Sequence, residues 1–177
     1  MITKASIPDG LPRASPPIVL TIAGFDPSSG AGITADLKVF AAHRLFGVAA
    51  ITALTVQSTQ GVRRVEPVST EMLRQTLECL TDDLSLDAIK VGMLGTAAAV
   101  TVVSEFLGKS GVPSTRIVLD PVLRSSSGRE LLSSDGVQRL KQDLLPLIGW
   151  MTPNTEELAA LAEMPVASRG AKSSRTR

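Results

Sequence analysis

The sequence predicts an α/β fold with parallel strands. Apolar runs of strand length alternate along the chain with segments whose apolar residues recur at the helical period. The chain has 177 residues, of which 44% are hydrophobic and 20% charged, which is enough material for one globular domain. No apolar run approaches membrane-spanning length, so we expect no membrane partner.

Five apolar runs are predicted to be strands of this sheet. A sixth run, residues 62–68, is a further candidate that ends near Glu66-Pro67, and its periodicity leaves open whether it joins the main sheet. The five predicted strands are residues 18–23, 48–56, 88–93, 117–120 and 149–152.

Three helices carry clear start signals between these strands. Ser69, Thr96 and Ser134 are predicted to cap them, and the third helix is expected to stop at Pro146. Each helix carries an apolar stripe that we expect to face the core. The stripes are Leu73, Leu77, Leu80 and Leu84 in the first helix, Val100, Val103 and Leu107 in the second, and Leu140 and Leu144 in the third.

Charge and composition exclude several classes of function. Eighteen basic and seventeen acidic side chains give a formal charge of +1, and with no Tyr and 3% aromatic residues the chain lacks platforms for stacking bases, so we expect no nucleic-acid partner. Cys79 is the only cysteine, which excludes an internal disulfide and fits a reducing cytoplasm. We expect Cys79 to be a core side chain and His43, the only histidine, to be a surface residue.

The two ends of the chain differ in composition from the segment between them. Residues 1–16 are polar and proline-rich and lack the apolar core of a secretory signal, so they are predicted to be a flexible leader. The last ten residues hold four basic and no acidic side chains, and without them the charge is 14 − 17 = −3. We therefore expect residues 167–177 to be a basic, disordered tail, and a frameshift near Ser168 is one hypothesis for its origin.

A glycine-rich turn, residues 24–32, connects the first strand to a helix. Free N–H groups and the helix dipole at such a turn favour an anion or a polar ligand, with a merely tight turn as the alternative. Residues 30–35 fit G-x-G-x-x-A, but this motif begins six residues after Gly24, and no acidic ribose partner follows it. No Gly-Lys-Ser/Thr follows the turn either, so both common nucleotide motifs fail.

Polar residues beside three of these elements are candidate site residues. Asp36 follows the glycine-rich turn, although an acidic residue near a helix N-terminus is common for dipole reasons alone. Gln57 follows an apolar strand, where its carboxamide could contact a ligand or simply bond within a loop. Asn154 and Glu157 have the spacing of a capping box, and their oxygens also suit magnesium and phosphate through water.

Taken together, these segments resemble the hydroxymethylpyrimidine and phosphomethylpyrimidine kinases of thiamine biosynthesis, members of the ribokinase-like superfamily. The resemblance covers residues 17–166. It implies a three-layer α/β/α sandwich around a mostly parallel sheet that lacks its C-terminal portion. The matching segments are LTIAGFDPSSGAGITADLKVFAAH, ITALTVQSTQGV, DAIKVGMLG, IVLDPVLRSSSG and LLPLIGWMTPNTEEL.

The resemblance implies that Gly24, Asp36 and Gln57 bind an aminopyrimidine and that Met93 and Val122 pack on its ring. The chemistry agrees, because a carboxamide can pair with an amine beside a ring nitrogen, as Asn or Gln does on adenine. Asp36 suits a hydroxymethyl or amine donor. A pyridoxal-kinase-like activity is the neighbouring alternative.

The resemblance further implies ATP and Mg²⁺ as cofactors, with Asp120, Asn154 and Glu157 on the phosphate and metal side, and a possible homodimer. The family's Lys-Gly-Gly-His and Gly-Thr-Gly-Cys segments, which form its anion hole and most of its ATP pocket, do not occur in the sequence. We therefore assign no catalytic residue. A catalytically inactive pyrimidine-binding fragment and a fragment too unstable to function are the alternatives to an active kinase.

Overall fold

The strands form a single mixed sheet in the computed structural model, which describes residues 15–125 and 128–165. Their order across the sheet is β3-β2-β1-β4-β5-β6, and every neighbouring pair is parallel except β2 and β3. The predicted α/β class with a mostly parallel sheet is thereby confirmed. The strands are β1 Ile18–Phe25, β2 Phe46–Ser58, β3 Gly61–Pro67, β4 Ala88–Val91, β5 Ile117–Leu119 and β6 Trp150–Met151.

Strand β1 lies at the centre of the sheet and is buried over its inner six residues. It pairs with β2 on one side and β4 on the other, and a parallel strand covered on both faces requires such a continuous apolar sequence. All five predicted strands are present. The fifth predicted run, 149–152, contributes only Trp150 and Met151, and the third, 88–93, leaves the sheet after Val91.

The segment whose place was left open joins the main sheet as its edge strand. β3 runs antiparallel to β2, with Thr55 opposite Val65 and Leu54 opposite Glu66. It ends at Pro67, which is tolerated because an edge strand has an N–H position that needs no partner in the sheet. The position of β3 in the sheet is decided by its pairing with β2. The periodicity of its own residues does not indicate which strand it pairs with.

Five α-helices accompany the sheet in the part of the chain that the structure describes. Two predicted caps are confirmed: the Ser69 hydroxyl accepts from the Met72 amide at 3.2 Å, and the Thr96 hydroxyl accepts from the Ala99 amide at 3.1 Å. The helices are α1 Gly32–Ala42, α2 Thr70–Asp83, α3 Ala97–Lys109, α4 Ser134–Arg139 and α5 Thr155–Ala162, with a short 3₁₀ turn at Ser114–Arg116.

The predicted start and stop of α4 are both wrong by a small margin. Ser133, not Ser134, is the capping position, and its hydroxyl bonds to Asp135 rather than to a backbone amide. Two adjacent serines are equivalent candidates in the sequence, so only the backbone path selects between them. The α-helical part ends at Arg139, and the helical path continues through a π-helical turn at 140–144 and a 3₁₀ turn at Leu145–Leu147, one residue past the expected stop. Pro146 lies in the first positions of the 3₁₀ turn, where the missing N–H costs nothing.

Helices cover both faces of the sheet, which gives three layers. Leu20 and Ile22 of β1 belong to the main core, together with Leu73 and Leu77 of α2 and the buried stripe of α3. Leu84, the last leucine of the predicted α2 stripe, is the C-cap of that helix and lies outside this core. Thr21, which alternates with Leu20 and Ile22 along β1, faces the other way and bonds to Asp36 of α1. The predicted core leucines Leu140 and Leu144 are fully buried.

Cys79 is exposed, so its predicted place in the core is wrong. The reason is helical geometry: Cys79 is two residues from buried Leu77, which places it roughly 200° around α2 from the core face. His43 is exposed at the end of α1, as predicted. Among the described residues no helix is long and apolar enough to cross a membrane. The predictions for the tail and for residues 1–14 of the leader lie outside the described residues.

Candidate functional site

A cleft of about 510 Å³ lies at the carboxyl ends of β1, β2 and β4. Open α/β sheets bind their ligands at this edge, because the loops that follow parallel strands meet there. Five of the residues singled out in the sequence line the cleft together: Gly24, Gln57, Met93, Asp120 and Val122. The fold thus brings together side chains that lie almost one hundred residues apart.

One side of the cleft is an apolar wall formed by Met93, Val122 and Leu131. Gly24 makes room for it, because a Cβ at this position would lie 2.4 Å from the Cε atom of Met93. Any larger residue at position 24 would displace the methionine. The wall offers a flat heterocycle a surface for dispersion contacts.

Gln57 enters the cleft from the end of β2 and is half-buried. A register shift between Val56 and Gln57 gives β2 an irregularity there, which is a common way to re-aim a side chain beside a binding site. The Gln57 carboxamide oxygen lies 3.2 Å from the hydroxyl of Thr55, whose better-placed acceptor is the carbonyl of Phe25 at 2.9 Å. Gln57 can therefore present both donors and an acceptor to the cleft.

The glycine-rich turn contains an acidic residue that the sequence reasoning missed. Asp26 is 3% exposed, and its Oδ1 atom accepts from the amide and hydroxyl of Ser28, both at 2.7 Å. Its Oδ2 atom accepts from the amides of Gly30 at 3.1 Å and Ala31 at 3.0 Å. At these three amides the partner is therefore an internal carboxylate, where the sequence predicted an external anion or polar ligand. The signal was available, since Asp two residues before Ser is typical of an Asx turn.

The ionisation of Asp26 follows from these contacts. Burial by itself raises the pKa of the carboxyl, but the hydrogen bonds from Ser28, Ala31 and Gly30 outweigh it, so the pKa of Asp26 lies below its ordinary value of 3.8. The group is a carboxylate at neutral pH and holds the turn closed against the start of α1.

Asp36 lies beneath the cleft and does not line it. Its Oδ2 atom accepts from the Thr21 hydroxyl at 2.6 Å and from the Lys90 ammonium at 3.0 Å. Lys90 does line the cleft, and its Nζ atom is 3.8 Å from Oδ2 of Asp120. Asp36 therefore acts on the cleft through Lys90, which the sequence reasoning missed although a lysine within a short apolar strand is an unusual residue.

Asp120 follows β5 and is the most accessible member of this charged group, with its side chain 39% exposed. Burial raises the pKa of its carboxyl, the Lys90 charge lowers it, Asp36 raises it, and the net direction is upward. Arg124 also lines the cleft and is exposed. The lining therefore includes one accessible carboxylate and one exposed guanidinium.

Asn154 and Glu157 form a capping box at the start of α5. Asn154 Oδ1 accepts from the Glu157 amide at 2.9 Å, and Glu157 Oε2 accepts from the Asn154 amide at 2.9 Å. Neither residue lines the cleft, so the structure does not bring them together with Gln57 and Met93. The described residues contain no group of three or more His, Cys, Asp or Glu side chains that could hold a metal ion by themselves.

The chain is similar to known proteins in both sequence and structure. The sequence model of a protein family described as phosphomethylpyrimidine kinase matches residues 26–175. The hydroxymethylpyrimidine/phosphomethylpyrimidine kinase of Aquifex aeolicus is 42% identical over 151 residues, which cover 85% of this chain and 58% of that relative. The chain spans just over half the length of this relative and of those with the same name from Haemophilus influenzae, Bacillus subtilis and Escherichia coli.

Two solved structures show the same arrangement of elements. The crystal structure of phosphomethylpyrimidine kinase from Clostridium difficile has a TM-score of 0.78 and 36% identity, and the match covers 85% of this chain and 64% of that one. Pyridoxal kinase from Staphylococcus aureus in complex with pyridoxal has a TM-score of 0.76 and 32% identity, with 87% and 55% covered. The same pyridoxal kinase has also been solved with ADP and with AMP-PCP.

Proposed function

The chain belongs to the phosphomethylpyrimidine kinase family, and from this premise we propose that it takes part in the ATP-dependent phosphorylation of 4-amino-5-hydroxymethyl-2-methylpyrimidine and its monophosphate in thiamine diphosphate biosynthesis. The observation that carries the proposal is the meeting of Gln57 with the apolar wall of Met93 and Val122 in one cleft. A carboxamide facing an apolar wall suits a small heterocycle that carries an amine.

The aminopyrimidine is proposed to lie with its ring against Met93 and Val122 and its amine edge toward Gln57. The carboxamide oxygen accepts from the ligand's amine while the carboxamide N–H donates to the neighbouring ring nitrogen, the same pairing that Gln makes with adenine. Gly24 contributes indirectly, since its missing side chain leaves space for Met93. The residues of this chain thereby bind and orient the ring.

The phosphate side of the site is proposed to lie at Asp120. When bound, ATP supplies the phosphoryl group and Mg²⁺ neutralises its spread negative charge. Magnesium in such sites usually takes one or two carboxylates plus waters and phosphate oxygens, and the accessible carboxylate of Asp120 fits that requirement. Arg124 offers a guanidinium for phosphate oxygens. Asn154 and Glu157 are proposed on this side through bridging water, because the capping box already engages both side chains.

A second candidate is binding of the aminopyrimidine without turnover. It is favoured by the composition of the cleft, because the ring-binding residues Gln57, Met93 and Val122 line it whereas Asn154 and Glu157 do not. A third candidate is pyridoxal as the substrate, favoured by the TM-score of 0.76 to a pyridoxal kinase solved with pyridoxal. A homodimer and a cytoplasmic location are further proposals, and analytical ultracentrifugation and cell fractionation test them.

Isothermal titration calorimetry followed by a turnover assay tests these proposals. The folded chain is titrated with the hydroxymethylpyrimidine, its monophosphate and pyridoxal, and each ligand is then incubated with ATP and Mg²⁺. Binding with turnover supports the kinase, binding without turnover supports the second candidate, and preferential binding of pyridoxal supports the third. Absence of heat with all three ligands from folded protein contradicts the proposal.

A matched pair of variants locates the bound ring. Gln57→Leu removes the carboxamide but keeps the size of the side chain, so we expect at least tenfold weaker binding, the equivalent of about 1.4 kcal/mol. Gln138→Leu makes the same change at an exposed position of α4 and is expected to bind as the wild type does. Equal affinity of the two variants would remove Gln57 from the site.

A further inference from the structure

Lys90 occupies a position that the ring-binding arrangement does not use. It lies on β4, next to the central strand, and its side chain is 21% exposed toward the cleft. Among the described residues it is the only lysine that lines the cleft. A lysine is seldom enclosed in this way unless its charge is paired, and the pairing here involves two carboxylates, Asp36 and Asp120.

The two carboxylates are not equivalent partners. The 3.0 Å distance from Lys90 Nζ to Asp36 Oδ2 is that of a hydrogen bond, which fixes the ammonium from below. The 3.8 Å distance to Asp120 Oδ2 is too long for one. An ammonium has three N–H donors, so Lys90 can donate a further hydrogen bond into the cleft. The Asp120 carboxylate lies beside the ammonium without a direct hydrogen bond to it.

This gap has the dimensions of a hydroxyl group. An oxygen atom about 2.8 Å from both Lys90 Nζ and Asp120 Oδ2 makes an ordinary hydrogen bond with each of them. Two distances of this length are compatible with the 3.8 Å that separates Nζ from Oδ2. A hydroxyl oxygen accepts from the ammonium while its proton is donated to the carboxylate.

The surrounding residues hold the ammonium in this place. Thr21 donates to Asp36 at 2.6 Å, which orients the carboxylate that anchors Lys90. Gly92 leaves room for the ammonium, since a Cβ there would lie 2.9 Å from Nζ of Lys90. Asp36 and Thr21 are therefore positioning residues for Lys90.

We propose that Lys90 and Asp120 bind the hydroxyl of the substrate's hydroxymethyl group, with Lys90 donating to the hydroxyl oxygen and the hydroxyl donating to Asp120. This inference rests on the proposed function and deepens it, because it assigns Lys90 and Asp120 to the hydroxyl that distinguishes this substrate from other aminopyrimidines.

Calorimetry with two ligands tests the pairing directly. The ligands are 4-amino-5-hydroxymethyl-2-methylpyrimidine and 4-amino-2,5-dimethylpyrimidine, which differ by the hydroxyl alone. The wild-type chain is expected to prefer the first by about tenfold to a hundredfold, the range for a hydrogen bond to a charged group. Lys90→Met is expected to lose this preference while binding the dimethyl ligand within about twofold of wild type. Lys90→Arg is expected to retain part of it.

The control and the outcomes separate this inference from the proposed function. Lys109→Met changes an exposed lysine at the end of α3 and is expected to keep the full preference. If the wild type binds neither ligand, the proposed function fails. If it binds both and Lys90→Met keeps the preference, the inference is overturned while the proposed function stands.

A measurement on the wild type alone covers the case in which Lys90→Met does not fold. With ¹³C-labelled lysine side chains, the Lys90 Cε signal is assigned by its absence from Lys90→Arg. We expect this signal to move with the hydroxymethyl ligand and to move much less with the dimethyl ligand. Equal shifts with both ligands would contradict contact between Lys90 and the hydroxyl.

Discussion

Replacing Asp26 with alanine is expected to destabilise the fold by opening the glycine-rich turn. The carboxylate accepts from the amides of Ser28, Gly30 and Ala31, and each such bond contributes about 1 kcal/mol net. The Ser28 hydroxyl can turn to water, so it adds little. The three amides together give an expected loss of about 3 kcal/mol, a large fraction of the 5–15 kcal/mol typical of a domain.

Urea denaturation followed by far-UV circular dichroism measures this loss, with Asp82→Ala at an exposed position of α2 as the matched control. The pH dependence provides a second reading. The pKa of Asp26 is lowered in the folded chain, so its stabilisation is present above 3.8 and is lost as the pH falls from 3.8 through the folded pKa. Asp26→Ala should lack this component. An Asp26→Ala variant within 0.5 kcal/mol of wild type would refute the reasoning that the turn depends on the carboxylate, since surface changes have effects of about that size.

Three further predictions concern packing, capping and reactivity. Gly149→Ala places a Cβ 2.5 Å from the Ser114 carbonyl oxygen and should destabilise the chain by about 1–3 kcal/mol in a urea titration. Gly108→Ala lies in α3, where a Cβ meets nothing within 4 Å, and should stabilise the chain by about 0.5–1 kcal/mol in the same titration. Asn154→Ala removes half of a capping box, and we expect a loss of about 1 kcal/mol, with no loss arguing that α5 is held by other contacts. Cys79 is exposed, so a thiol reagent should modify it fully without denaturant, and protection until unfolding would contradict its position.

The sequence predicted the elements of this fold well because their signals are local. Strand and helix periodicity depend on which side chains of one segment face the core, and each of the five predicted strands is present. Capping by Ser69 and Thr96 is equally local, since the cap and the amide it accepts from are three residues apart. Ser133 and Pro146 show the limit: two adjacent serines are equivalent candidate caps, and a helical path can pass through π and 3₁₀ turns before it ends, so the bounds shift by a residue or a turn.

The candidate site was predictable only in part. Gln57 follows an apolar run of the sequence and Met93 lies in a segment that resembles the family, so the sequence could identify both. Lys90 was missed because its significance arises from Asp36 and Asp120, which are 54 and 30 residues away in the chain. The family resemblance implied that Asp36 binds the ligand, whereas in the structure its carboxylate accepts hydrogen bonds from Thr21 and Lys90.

The sequence by itself determined the α/β class, the order of the strands and helices along the chain, the stripes that form the core and the family to which the chain belongs. The tertiary structure decided that β3 completes the edge of the sheet, that Asp26 satisfies the amides of the glycine-rich turn, and that one lysine stands between two distant carboxylates. The physical reason is the range of each interaction. Periodicity and capping act within a few residues, whereas strand pairing and charge compensation depend on groups that approach only when the chain is folded.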